Sequence, residues 1–433
     1  MKNIWRIISW KKVFLYGVKS PHKQIKSLIK GRIEEESLKD IRHLMLIGEK
    51  SIGKKSLIYN IANEEKLEIY SIVLHLIKED RFLAYEKILL KLRKRIKNKS
   101  VIVIDDLNDI CFGDFDGIEA INKFLEFFFR IFTNPNQLVV TIFHEGKPEI
   151  KTYLSTRIKC DIVIDFVNLC ENDRMQIFSD LSEDFVCLKE TEKNQLIKLT
   201  EGYNYEKIRK VVREAKLDSI NQDKELIDYQ LFENSIDAMI MGKVNDKKKF
   251  SEEQILRVAY HEVGHVILAL HLKEENLHKV SIIERYQING FTQFLPENSQ
   301  IYSKTELENK ICIFLAGYAT EIIFLSESST GCHDDLIKAT EIAEMMVKEL
   351  GMTSVMIRSF DRLNCNKKNN EVGEVTLEKI DLEVNNILIK CQDKSESVIK
   401  ENEGLVKAMV QELLVRKVLK KEEILDIKNR FSN

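Results

Sequence analysis

Four short runs in this chain are apolar almost without interruption: IRHLMLI at 41–47, SVIVIDD at 100–106, LVVTIF at 138–143 and IVIDFVN at 162–168. A strand with one wet face alternates apolar and polar residues. These runs do not alternate, so both faces must be buried, as in a parallel sheet covered by helices on each side. Helical patterns stand between them, such as the one following 48–55 and RFLAYEKILLKLRKRIK at 81–97. A further strand is expected at 69–77. The expected fold is an α/β domain over 31–170 with a parallel sheet and helices, then a helical lid over 171–242. The polar, Lys-rich stretch at 243–250 reads as a linker. Residues 251–433 read as a mostly α-helical domain with one β-like island at 279–295, KVSIIERYQINGFTQFL, and closing helices at 376–395, 396–415 and 421–430.

The first 30 residues contain no Asp or Glu, and Trp5 and Trp10 interleave with Lys2, Arg6, Lys11 and Lys12. A basic amphipathic segment of this kind suits an anionic membrane surface. It equally suits a partner-binding arm or packing on its own domain. It lacks the small-residue cleavage site of a secretory signal. No apolar run reaches the ~18–20 residues that cross a bilayer. The eight cysteines are scattered, with no CxxC pair, which points to free thiols in a reducing, cytoplasmic setting. A net charge of −2 gives no reason to expect a nucleic-acid partner.

VAYHEVGHVILAL at 258–270 spends two of only nine histidines four residues apart. On a helix, His261 and His265 project from one face and can share an ion. Glu262, between them, is placed to take a proton from a water whose pKa zinc lowers to ~7. The alternative is two ordinary surface histidines on an amphipathic helix. A third ligand has to come from elsewhere. STGCHDDLIKATEIAEMMVKELGM at 329–352 offers Asp334 and Asp335, although acids at a helix start are favoured by capping and by the helix dipole alone.

GEKSIGKK at 48–55 partly fits G-x-x-x-x-G-K-[ST], with Gly48, Gly53 and Lys54 in place after a strand and before a helix. Lys55 stands at the Ser/Thr position, where an ammonium cannot coordinate Mg²⁺. A register one residue longer would use Lys55 and Ser56 instead. VIVIDD at 101–106 supplies Asp105 for magnesium and Asp106 beside it.

AYHEVGHVILAL, HKVSIIER, GFTQFLPE, YSKTEL, LAGYATEIIF and STGCHDDLIKATEIAEMMVKELGM follow one another in the order of the FtsH family of ATP-dependent zinc metallopeptidases. The chain resembles that family over about 250–430. The resemblance implies a helical zinc peptidase domain with Asp335 as third ligand, Asp334 as a polar neighbour and Glu321 as an acid near the site. Glu321 then hydrogen-bonds a ligand histidine, or is a surface acid. Residues 30–242 resemble the family's AAA+ nucleotide-binding module and lid more faintly, with GYNYEKIRKVVREA at 202–215 as the lid segment. The departures are Lys55, the shorter Asp106, Phe143 or His144 where a polar residue is expected, Arg157 as the one arginine-finger candidate, and Phe82 and Tyr85 as weak pore-loop substitutes.

The resemblance implies a zinc endopeptidase that degrades unfolded or loosely folded proteins, with ATP and Mg²⁺ assistance left open, assembled as a homo-hexamer. A β-strand near 279–295 would hold extended substrate by edge pairing. The alternative is a non-proteolytic ring subunit or adaptor that binds partners through its AAA+-like surface.

Overall fold

The computed structural model describes residues 5–6, 19–34, 37–38, 40–73, 89–97, 99–105, 118–134, 136–144, 158, 160–166, 168–244, 250–274, 276–285, 290–296, 301–353 and 374–432. The chain divides between Glu233 and Asn234 into two compact units.

Unit 1 is built on strands β1 (Trp5–Arg6), β2 (His43–Gly48), β3 (Glu68–Val73), β4 (Ser100–Asp105), β5 (Gln137–His144) and β6 (Ile162–Asp165). Their order is β1-β3-β4-β5-β2-β6. Strands β2 to β6 run parallel, and β1 adds antiparallel at the edge, Trp5 opposite Ile72. Every residue of β2 and β4 is buried, as two-faced burial requires. Alternate side chains part to opposite faces. Met45, Ile47, Ile102 and Ile104 pack with Phe124 and Phe128 of helix Ile118–Ile131. Leu44, Leu46, Val101 and Val103 pack with Leu57 and Ile61 of helix Lys54–Glu64. Buried His43 within β2 is satisfied by Thr141 Oγ1 at 2.8 Å.

Ile25 and Ile29, on helix Lys19–Ile29, are also fully buried in this core. That part of the basic N-terminal segment therefore packs on its own domain. After the sheet come helices Glu171–Leu181, Glu183–Cys187, Glu190–Leu199 and Tyr205–Asn221. Asn204 caps the last of these, its side chain accepting from the Lys207 N–H at 3.0 Å. Helix Tyr229–Met241 follows. Residues 74–88 and 245–249, within the expected strand–helix stretch and linker, lie outside the described residues.

Unit 2 is largely helical: Glu252–His271, Lys304–Leu325, His333–Lys348, Glu374–Glu401, Glu403–Arg416 and Lys421–Ser432. Ser251 with Gln254, and Ser303 with Glu306, form reciprocal capping boxes that start the first two. The helix Glu252–His271 is buried continuously from His261 to Ala269, on every side, because its neighbours surround it. The expected β island resolves into two antiparallel strands, β7 (Leu277–Ser281) and β8 (Phe291–Phe294). A third strand, β9 (Val418–Lys420), pairs with β7 and gives the order β8-β7-β9. Sequence pattern missed β9 because three residues carry no readable period. The expected helix break near 395 falls instead at Asn402. Ser395 Oγ satisfies itself on the Cys391 and Cys312 carbonyls, so the helix runs on. The Asn402 amide then bonds back to the Val398 carbonyl at 2.8 Å.

Within unit 2 a buried ion cluster ties Asp237, on the later part of helix Tyr229–Met241, to Lys279 of β7 and to Arg285. Asp237 Oδ2 lies 2.8 Å from Lys279 Nζ and 3.4 Å from Arg285 Nη2. All three side chains are nearly inaccessible. Removing one partner leaves buried charge uncompensated. Asp237→Ala is therefore expected to destabilise unit 2 by about 3–5 kcal/mol in urea unfolding. A loss under about 1 kcal/mol, the range of an exposed pair, would contradict that reading.

Candidate functional site

The helix Glu252–His271 brings His261 and His265 onto one face, both buried. Asp335 comes from the first turn of the helix His333–Lys348, after a short 3-10 turn at Thr330–Cys332. The three donor atoms form a near-equilateral triangle. His261 Nε2 to His265 Nε2 is 3.1 Å, Asp335 Oδ2 to His261 Nε2 is 3.1 Å, and Asp335 Oδ2 to His265 Nε2 is 3.2 Å. Asp334, its neighbour in sequence, is exposed.

The other ring nitrogens decide which lone pairs converge. His261 Nδ1 lies 2.8 Å from Glu321 Oε1, and a carboxylate only accepts, so Nδ1 is the donor. His265 Nδ1 likewise donates to the Ile313 carbonyl at 2.7 Å. In the neutral rings both Nε2 atoms are thereby left as acceptors, aimed at each other and at a carboxylate oxygen. Three lone pairs at this spacing repel unless a proton or a metal cation lies among them. A tetrahedral zinc ion with bonds of ~2.0–2.1 Å needs donors about 3.3–3.4 Å apart, close to what is found. The residues present fit zinc.

The electrostatics agree. Burial disfavours a charged His261, but hydrogen bonds to Asp335, Cys332 and Glu321 outweigh it and raise the ring's affinity for a positive charge. Burial also opposes ionisation of Asp335, yet the two imidazoles hold its carboxyl far below the usual range. Glu321 is buried too, but hydrogen bonds from His261, Ser329 and Cys332 keep its carboxyl at about 2. Arg257 Nη1 reaches Glu321 Oε2 at 3.3 Å and steadies it further. The carboxylate thus orients the His261 ring. Partners of this kind contribute roughly 10–100-fold to metal affinity. Glu321→Ala is expected to weaken zinc binding by about that factor in chelator competition. An unchanged affinity would remove Glu321 from the site.

The raised His261 pKa also sets a pH dependence. Metal must displace a proton from that ring below its pKa, which lies above 6.5. Apparent zinc affinity is expected to fall by about tenfold for each pH unit below it, and to level off above. Titrations between pH 8 and 5 read this directly. A flat profile there would mean that His261 is not a ligand.

Glu262 is buried beside the triangle, and burial raises its carboxyl pKa. Thr292 Oγ1, on β8, donates to Glu262 Oε2 at 2.8 Å. Sequence reasoning named the segment holding Thr292 but not this contact. It also missed Gly317. A Cβ there would fall 2.5 Å from His261 Cε1, so only glycine lets helix Lys304–Leu325 pass behind the ring. An isolated glycine inside a helical pattern was the available signal. Among the described residues β8 is an edge strand, and Phe294 at its end lines a cavity of about 310 Å³ together with apolar residues such as Tyr302 and Phe314 and the polar Glu274, Asn276 and Lys310.

In unit 1, Gly48 ends β2, where a Cβ would lie 2.8 Å from the Phe166 carbonyl oxygen. Gly53, at φ +96°, precedes helix Lys54–Glu64 and makes Lys54 its first residue. Lys54 Nζ donates to the carbonyls of Gly48 and Glu49, both at 2.6 Å. Lys55 Nζ lies 2.5 Å from Asp105 Oδ2, and His144 Nε2 lies 3.3 Å from Asp105 Oδ1. Ser56 is half-buried on the same helix. Magnesium takes hard oxygen ligands. At Asp105 the near neighbour is the Lys55 ammonium. Asp106, Arg157, Phe82 and Tyr85 lie outside the described residues.

The histidines and glutamate of a His-Glu-x-x-His helix and a carboxylate from a second helix together form a candidate metal centre. Residues 248–427 match the model of Peptidase family M41. It is 32% identical over 241 residues to the ATP-dependent zinc metalloprotease FtsH of Mycoplasma mobile, covering 53% of this chain and 34% of that protein. The FtsH of Halothermothrix orenii is 33% identical over 233 residues, covering 51% of this chain and 37% of the relative. That of Bacillus subtilis is 31% identical over 237 residues, covering 52% and 37%. The matched part of the chain thus spans little more than a third of the length of these relatives. Among the described residues, no helix is long and apolar enough to cross a membrane.

Proposed function

We propose that this protein is a zinc-dependent endopeptidase acting on unfolded or loosely folded polypeptides. The observation that carries the reading is the 3.1–3.2 Å triangle of His261 Nε2, His265 Nε2 and Asp335 Oδ2, with Glu262 beside it. These three atoms are the proposed ligands. Zinc held there supplies Lewis acidity and makes water a usable nucleophile near neutral pH. Glu262 takes the proton from the attacking water and returns it to the departing amine nitrogen. Its burial keeps the carboxyl nearer neutral pH than an exposed glutamate, as a base in this role requires. Thr292 fixes the orientation of its Oε2. An extended substrate is proposed to add to the open edge of β8, so that its scissile bond passes Glu262.

The relatives named above are ATP-dependent by name. Assembly as a homo-oligomer, with a hexamer as the proposed size, and contact of the basic N-terminal residues with an anionic membrane surface belong to the same reading. A cytoplasmic location fits the scattered free thiols. The decisive test is degradation of casein by the zinc-loaded chain. Cleavage that stops on chelation and returns with zinc is expected. No cleavage by a chain carrying one zinc would favour the non-proteolytic ring subunit or adaptor.

A further inference from the structure

The two consecutive lysines that open helix Lys54–Glu64 are used in opposite directions. Lys54 turns back onto the loop, donating to the Gly48 and Glu49 carbonyls. Lys55 turns across the carboxyl ends of the strands to Asp105, 2.5 Å from Oδ2. His144, at the end of the neighbouring strand β5, approaches the other oxygen at 3.3 Å. Both oxygens of the carboxylate that stands where a magnesium ligand is expected are therefore engaged by groups of this chain. The Gly53 cap assigns Lys54 to the phosphate-gripping position, which leaves Lys55 where a hydroxyl ligand of the metal belongs.

We propose that Lys55 is a built-in cation that takes the place of the divalent ion at Asp105, so that this phosphate loop holds no magnesium and does not hydrolyse ATP. The physical reason is local. Magnesium bonds oxygen at ~2.0–2.1 Å and requires near-octahedral oxygen ligands. An ammonium within hydrogen-bonding distance of Asp105 fills that shell and repels a second cation. A fixed monovalent charge cannot replace the metal in clamping and orienting the transferred phosphate. Unit 1 then serves as a static part of the assembly, and peptide bonds are reached only where substrate is already loose.

The test uses the full-length, zinc-loaded chain with ATP, and Mn²⁺ as a spectroscopically visible stand-in for Mg²⁺. Wild type is expected to show no Mg²⁺-dependent ATP turnover above Asp105→Asn. It should also bind no Mn²⁺ that Asp105→Asn removes. Lys55→Thr restores a hydroxyl and removes the ammonium from Asp105 Oδ2. It is expected to gain at least a tenfold increase in Mn²⁺ affinity, lost again in Lys55→Thr/Asp105→Asn. Two results overturn the proposal. One is wild-type ATP turnover that needs Mg²⁺ and disappears in Asp105→Asn. The other is a Lys55→Thr chain that melts like wild type yet gains no Mn²⁺ affinity. The wild-type comparison stands by itself if Lys55→Thr does not fold.

Discussion

Glu262→Gln lowers peptide hydrolysis by about 10²–10⁴-fold, the usual weight of a positioned general base, while zinc stays at one per chain. The carboxamide has nearly the same shape, and its oxygen can still accept from Thr292 Oγ1, which sits 2.8 Å from Glu262 Oε2. It cannot take a proton. Burial already disfavours the charged carboxylate, so a neutral replacement costs the fold little. Hydrolysis rate, metal content and thermal melting on one preparation separate the chemical role from a structural one. Cleavage within a few-fold of wild type at full zinc occupancy would remove Glu262 from the mechanism.

Asp335→Ala removes the one donor that does not come from the helix Glu252–His271. Two imidazoles alone make a weak site, so zinc is expected at well under one per chain and cleavage to be lost with it. Stability should change in a diagnostic way. A ligand at 100 times its Kd stabilises the folded state by about 2.7 kcal/mol. Wild type is therefore expected to melt higher with added zinc, and Asp335→Ala to melt at the same temperature with or without it. Asp334→Ala is the internal control, because Asp334 is exposed and one residue away. It should leave both readouts unchanged. Equal losses in the two variants would point to a disturbed helix start instead of a missing ligand.

Much of the sheet was legible because two-faced burial leaves an unmistakable mark. The nearly uninterrupted apolar stretches of β2, β4 and β5 are inner strands, whereas the similar run at 162–165 is the edge strand β6, of which only Ile164 is buried. The histidine pair was legible for a similar reason, since four residues on a helix is a distance as well as a spacing. Asp335 was not legible from spacing. It lies 74 residues from His261 and next to an equally plausible acid, and only a family resemblance preferred it. Glu321 stood open between an orienting partner and a surface acid, and its place is buried, 2.8 Å from His261 Nδ1. Thr292, Ile313 and Gly317 act through a hydroxyl, a backbone carbonyl and the absence of a side chain. None of these leaves a chemical signature in a string of letters. Lys55 looked in the sequence like a simple loss of a magnesium ligand. Its pairing with Asp105, 50 positions away, is a contact across the strand ends.

The sequence by itself determined the local terms: which runs form strands, which helix carries two imidazoles on one face, and where a lysine displaces a hydroxyl. Each follows from periodicity or from residue chemistry within a few positions. Only the tertiary structure decided which of two adjacent aspartates faces the rings, which nitrogen of each ring is left to bind, and what the second lysine touches. Those depend on how separate elements cross, and crossing is set by packing between residues that are far apart in the chain.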